Sequence, residues 1–164
     1  MKKLITVFAA GAAMASLGTA ANAATATADA TAEILEQVQI AQVTDLNFGT
    51  IVPDATNAAT VSVAANAAGT RNCGGLTCAG GASVSSASFD VTGANGLNVD
   101  VALSGLTQLS DGTNNMPITL NASSNVLAMT GSAVSLYVGG DLSVAANQPA
   151  GVYSGTFTVT ADYQ

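Results

Sequence analysis

The chain has 164 residues, enough for one domain with a core of ordinary size, and only 8% of them are charged. Its formal net charge is −7, with 10 acidic residues against three basic ones, a balance that repels nucleic acid and anionic lipid. The sequence holds no His, which removes histidine-based nucleophilic catalysis, and so few charges exclude long charged helices.

The N-terminus reads as an export signal. Lys2 and Lys3 give a positive start, Leu4 to Leu17 form an apolar run, and Ala21-Asn22-Ala23 supplies the small-x-small pattern of a cleavage site. The run is shorter than the roughly 20 apolar residues that a membrane span needs, and no later segment approaches that length. Residues 1–23 are therefore expected to be a signal peptide, with no membrane span after its removal. Both lysines leave with it, and Arg71 is then the only basic residue.

Residues 24–34 read Ala-Thr-Ala-Thr-Ala-Asp-Ala-Thr-Ala-Glu-Ile. Every even position is apolar and every odd one polar, a period of two that gives an extended strand one smooth apolar face. Two readings stand side by side for this N-terminal extension: a strand, or a low-complexity leader without structure. The body, residues 35–164, repeats short alternating stretches. Val38 and Ile40 open it, followed by Val43, Leu46, Phe48 and Ile51. Thr60 to Val63 makes a strand, Ser85 to Val91 another, and Leu97, Val99, Val101 and Leu103 form the clearest period-two set. Ile118 and Leu120, then Val126 to Met129, then Val134, Leu136 and Val138 continue the pattern.

The separators carry turn chemistry: Pro53-Asp54, Gly93-Ala94-Asn95-Gly96, Ser110-Asp111-Gly112, Gly139-Gly140-Asp141 and Gln148-Pro149-Ala150-Gly151. Gly139-Gly140 is read as a bulge or a tight hairpin. Some eight to ten short strands at this spacing predict an all-β fold, a β-sandwich. Cys73 and Cys78 are expected to form a disulfide that clips one loop, since the count is even and no His completes a zinc site. Arg71 to Gly81 reads as a local insertion around it. The last strand is predicted to run from Gly151 to Gln164, with Tyr153, Gly155, Phe157, Val159, Ala161 and Tyr163 on one face.

That ending, with Gly151 at the head of the last strand and Tyr163 next to last, resembles the final strand of subunits handled by the chaperone–usher pathway. These are fimbrial pilins and the related spore coat protein U group. Asp45-Leu46-Asn47-Phe48-Gly49-Thr50-Ile51 resembles the first strand of that group. Together with Val138-Gly139-Gly140-Asp141-Leu142, it is more similar to a family of small secreted bacterial proteins catalogued only as a domain of unknown function.

The resemblance implies an immunoglobulin-like β-sandwich that is incomplete and is completed by strand exchange. A periplasmic chaperone first fills its groove, and the N-terminal extension of a neighbouring copy or related subunit, delivered at an outer-membrane usher, then replaces it. The resemblance places Gly151, Tyr153, Phe157, Val159 and Tyr163 on the contact strand. The alternating residues Ala28, Ala30, Ala32 and Ile34, with Val38 and Ile40 behind them, are the candidate donor segment. The expectation is a non-enzymatic subunit of a surface fibre or coat, exported through the periplasm to the cell surface or medium, with no cofactor. A self-contained secreted sandwich acting as a binding or adhesion module explains the strands equally well. Asp90 and Asp100 are the one pair of carboxylates that cross-strand pairing could bring together, and the turn aspartates lack the ligand spacing of an EF-hand.

Overall fold

Alternation of apolar and polar residues fixes which side of each strand faces inward. Ala87, Phe89 and Val91 are buried while Ser88, Asp90 and Thr92 between them are not, and Val99 and Val101 are buried while Asn98, Asp100 and Ala102 stay exposed. The computed structural model describes residues 23–80 and 83–164. The expected leader therefore lies, apart from Ala23, outside the described residues. Contacts divide the chain into a short N-terminal unit ending at Glu33 and a main unit, Ile34–Gln164. Residues 23–38 carry no regular secondary structure.

The main unit is all-β. Its strands are β1 (Gln39–Thr44), β2 (Ile51–Val52), β3 (Ala59–Val63), β4 (Arg71–Asn72), β5 (Thr77–Cys78), β6 (Ala87–Thr92), β7 (Asn98–Ser104), β8 (Gln108–Ser110), β9 (Asn115–Ala122), β10 (Val126–Ala128), β11 (Val134–Val144) and β12 (Thr158–Tyr163). All pairings are antiparallel. One sheet runs β1-β6-β11-β3-β4, with β9 also on β11 and β8 on β9. A second runs β10-β7-β12, and β2-β5 forms a small ribbon. The two larger sheets pack as a β-sandwich.

Two apolar clusters fill it. Ala87, Phe89, Val91, Leu136 and Val138 from the larger sheet meet Val99, Val101, Leu127 and Met129 from the smaller one. Phe48, Val61, Val63, Met116, Ile118, Leu142 and Val144 form the second cluster, and Leu46 and Leu120 pack against both. Each fully buried aliphatic side chain contributes about 1.5–3 kcal/mol. The one buried polar side chain among the described residues, Ser86, donates to the Asn66 carbonyl at 2.7 Å.

Three expectations need correction. Gly139-Gly140 is neither bulge nor hairpin: β11 runs through it from Val134 to Val144 and keeps register with β9 from Val138 to Leu142. A Cβ on Gly139 would lie 2.1 Å from the Val63 carbonyl oxygen, and one on Gly140 would lie 2.9 Å from that of Thr119. The pair is glycine because two flanking strands press against it. The last strand begins at Thr158 rather than Gly151, and Ser154 makes only an isolated bridge to Ser110. Finally, the turn at Ser110-Asp111-Gly112 closes a hairpin whose first arm, β8, is absent from the expected strands.

Candidate functional site

The first and last strands each leave one edge unpaired. Among the described residues β1 pairs only with β6, and β12 only with β7. Their inward residues are also less covered than those of the strands beside them. Val91, Val99, Leu136 and Val138 are shielded from solvent altogether. Val38 and Ile40 on one side, and Phe157, Val159, Ala161 and Tyr163 on the other, pack against the same cluster yet stop at half-burial. The sandwich is short of cover along the flank between β1 and β12.

A groove of about 940 Å³ opens next to that flank and meets it at Phe157. One wall is Gln42 of β1 with the chain after it, from Asp45 through Pro53, and the other is the stretch Gln148–Phe157 that leads into β12. Its floor reaches core side chains: Phe48, Phe89, Met116, Ile118, Leu142 and Val144. Asp45 is the only charged residue in the lining. Phe157 meets Phe89 edge to face, with ring centroids 6.1 Å apart.

Both walls are tied to each other beyond the groove. The Tyr163 hydroxyl donates to the Glu36 carbonyl at 2.7 Å and accepts from the Ala94 nitrogen at 2.6 Å. The Asn147 nitrogen donates to the Asp54 carbonyl at 2.7 Å, with Asn147 in the left-handed region at φ 51°. Local caps stiffen these ends. The Asp54 carboxylate accepts from the backbone nitrogens of Thr56 and Asn57, both at 2.8 Å, and these bonds hold its pKa at about 2. Asp111 is likewise held at about 2, first by the Asn114 side chain and then by the backbone nitrogens of Asn114 and Thr113.

The second wall rests on that Asp111 turn. Ser110 and Ser154 exchange two backbone hydrogen bonds of 2.9 Å. The Tyr153 hydroxyl donates to the Pro149 carbonyl and accepts from Gln148. A Cβ on Gly151 would lie 2.9 Å from the Asp111 carboxylate, and one on Gly155 would lie 2.4 Å from Leu106 Cδ1. Both glycines let the wall lie flat. The first wall is held by Arg71, whose guanidinium donates to the carbonyls of Phe48, Thr50 and Ala79.

The structure gathers the residues expected on the contact strand: Gly151, Tyr153 and Phe157 line the groove, and Val159 and Tyr163 continue its wall as β12. Cys73 and Cys78 are disulfide-bonded. The expected donor residues part company. Ile40 lies in β1 opposite Val91, and Val38 packs on the core of its own chain. Both serve the fold in cis. Ala28, Ala30 and Ala32 lie in the N-terminal unit outside any strand, and Ile34 is 94% exposed.

Four floor and wall residues, Leu106, Leu109, Met116 and Ile118, form a set that the sequence reading missed as a site. The period of two through Met116, Ile118 and Leu120 was available to find part of it.

Asp90 and Asp100 sit in different sheets, bonded to Ser135 and Gln164, so cross-strand pairing does not bring them together. Among the described residues no group of His, Cys, Asp or Glu is arranged to hold a metal ion, and no helix is long and apolar enough to cross a membrane. What the groove offers is an apolar floor; the outer edges of β1 and β12 lie beyond its lining, apart from Gln42.

No curated protein and no solved structure matches this chain. A family model described as a domain of unknown function, DUF4402, matches residues 38–163, from the last residue before β1 to the end of β12. That span takes in both walls and the floor of the groove, and the chain belongs to the DUF4402 family.

Proposed function

We propose that this protein is an exported structural subunit of a bacterial surface fibre or coat, assembled by donor-strand complementation. An extended segment of a neighbouring copy or related subunit enters the groove, covers Phe157 and the floor there, and runs on to pair with the free edge of β1 or β12. The single observation that carries this reading is the uncovered flank: an apolar groove of about 940 Å³ between two walls, with unpaired edges on β1 and β12. The resemblance to spore coat protein U and chaperone–usher subunits supports it, as does the alternating Ala24–Ile34 segment. On this reading a periplasmic chaperone occupies the groove before an outer-membrane usher delivers the partner, and the protein performs no catalysis.

Residues 24–35, extended at about 3.3 Å each, reach roughly 40 Å, longer than an ordinary strand. Glu36 is held by its own Tyr163, so residues up to Leu35 are the ones free to leave. The test is binding of a fluorophore-labelled peptide of residues 24–35 to the mature protein, followed by anisotropy. Saturable binding that is lost in the Ile34→Asp peptide bears the reading out. No binding of either peptide favours the self-contained binding module, a reading favoured by the use of Val38 and Ile40 in cis.

A further inference from the structure

The disulfide hairpin stands between a core strand and the groove wall. On one side β4 pairs with β3, Asn72 opposite Ser62 and Arg71 opposite Val63. Gly74, at φ 58°, lies so close to β3 that a Cβ there would fall 2.0 Å from the Thr60 carbonyl oxygen. On the other side β5 pairs with β2, Cys78 opposite Ile51 and Thr77 opposite Val52, and the Ala79 nitrogen donates to the Thr50 carbonyl at 3.1 Å. Arg71 adds its bonds to Phe48 and Thr50. Phe48 through Ile51 line the groove.

The covalent link between the two sides is the Cys73–Cys78 bond. Without it, β5 is held to β4 by a short glycine-containing turn, whose Leu76 nitrogen donates to the Cys73 carbonyl, and by the 3.4 Å bond from Arg71 to the Ala79 carbonyl. The ribbon it braces is two residues per strand, far below what stands alone in water. Most of the core, by contrast, does not rest on the hairpin: its buried residues lie outside residues 71–80, Leu76 is the only hydrophobic hairpin side chain packed against it, and Phe48 is the only buried core residue in the braced segment. Both cysteines are half-buried beside exposed Gly74, Gly75 and Thr77, within reach of a reductant.

We propose that the Cys73–Cys78 disulfide is a redox-dependent brace of the groove: it sets the Phe48–Val52 wall in place to receive a strand, and its reduction releases that wall while the sandwich stays folded. The proposal rests on the strand-acceptor reading. The chemistry is thiol–disulfide exchange. A dithiol reductant attacks one sulfur, the bond between the cysteines breaks through a mixed disulfide, two protonated thiols remain, and the reductant leaves as its own disulfide. Subunits with reduced cysteines would thereby be kept out of assembly.

The experiment is hydrogen exchange by mass spectrometry on the full mature chain, oxidised, reduced with a dithiol, and as the Cys73→Ser/Cys78→Ser variant. Binding of the residue 24–35 peptide is measured in parallel. On reduction, exchange at residues 48–52 and 77–79 should rise by about tenfold or more while β3, β6 and β11 keep their protection, as local opening requires. The peptide should bind about tenfold more weakly to the reduced form and to the variant. Equal protection of residues 48–52 in both redox states overturns the proposal. So does loss of protection throughout the sandwich at once, which makes the bond a staple of the whole fold. Equal peptide binding in both states overturns the proposal as well. Failure of the peptide to bind even the oxidised form sinks the strand-acceptor reading, and the exchange result alone then decides whether the brace exists.

Discussion

The phenolic oxygen of Tyr163 lies 2.7 Å from the carbonyl oxygen of Glu36, so a side chain at the end of the last strand holds the residue that leads into the first. No backbone pairing joins β1 to β12. The Tyr163 hydroxyl, not a strand pairing, links the two ends. The same oxygen accepts from Ala94, and a Cβ on Gly93 would come within 2.8 Å of it, so this corner is closely packed.

Tyr163→Phe removes the hydroxyl and leaves the Ala94 nitrogen without its partner. The loss should be about 1–2 kcal/mol in a urea melt, the range for deleting one partner of a partly buried hydrogen bond. The groove floor is untouched, and the variant should bind the residue 24–35 peptide.

Gly139→Ala should be far more damaging than its size suggests. The added methyl would sit 2.1 Å from the Val63 carbonyl oxygen and 2.7 Å from the Ala65 nitrogen, both backbone atoms that move only if β3 leaves β11. A loss of about 3 kcal/mol or more is expected. Gly75→Ala is the control: nothing lies within 4 Å of its Cβ, and only the φ of 93° opposes it, at about 1 kcal/mol. Comparing urea midpoints of the two variants checks the ordering.

Phe157→Ala removes the edge-to-face partner of Phe89 and one wall of the groove. Because Phe157 is only half-buried, the loss should be about 2 kcal/mol, below the 3–5 typical of a fully buried phenylalanine. Thermal melts of the isolated subunit report this. Peptide binding should weaken too, since the side chain contributes to the lining.

Asp54 and Asp111 define an acid limit. Both carboxyls stand at about 2 in the folded protein against an ordinary 3.8, so folding favours their ionised forms. Their contribution is complete above 3.8 and is lost as pH falls from there through about 2. Tm measured across that window should drop, and the drop should be shallower in the Asp54→Asn/Asp111→Asn variant. An unchanged slope would show that other groups govern acid unfolding.

Much of the sandwich was legible because period two is written openly in its central strands: Ala87-Phe89-Val91 and Val99-Val101 face the core as their alternation demands. The two glycines of β11 misled for a physical reason. Glycine marks a turn and a close backbone approach equally well, and only the position of Val63 and Thr119 tells them apart. The last strand looked longer than it is because Tyr153, Gly155 and Phe157 keep the alternation of β12 while the backbone there leans on the Asp111 turn. One wall of the groove was visible in the C-terminal pattern. Its floor was not, since Phe48, Met116 and Leu142 come from distant parts of the chain and meet only through topology.

The most direct test of strand acceptance is electrophoresis of mature protein recovered from the cell surface, run in detergent with and without boiling. A subunit that takes a neighbour's strand into its core releases it very slowly, so unheated samples should show a ladder that collapses to one band on boiling. Ile34→Asp, at a side chain 94% exposed in the isolated subunit, should abolish the ladder without lowering subunit stability. A single monomer band before and after heating would contradict the account.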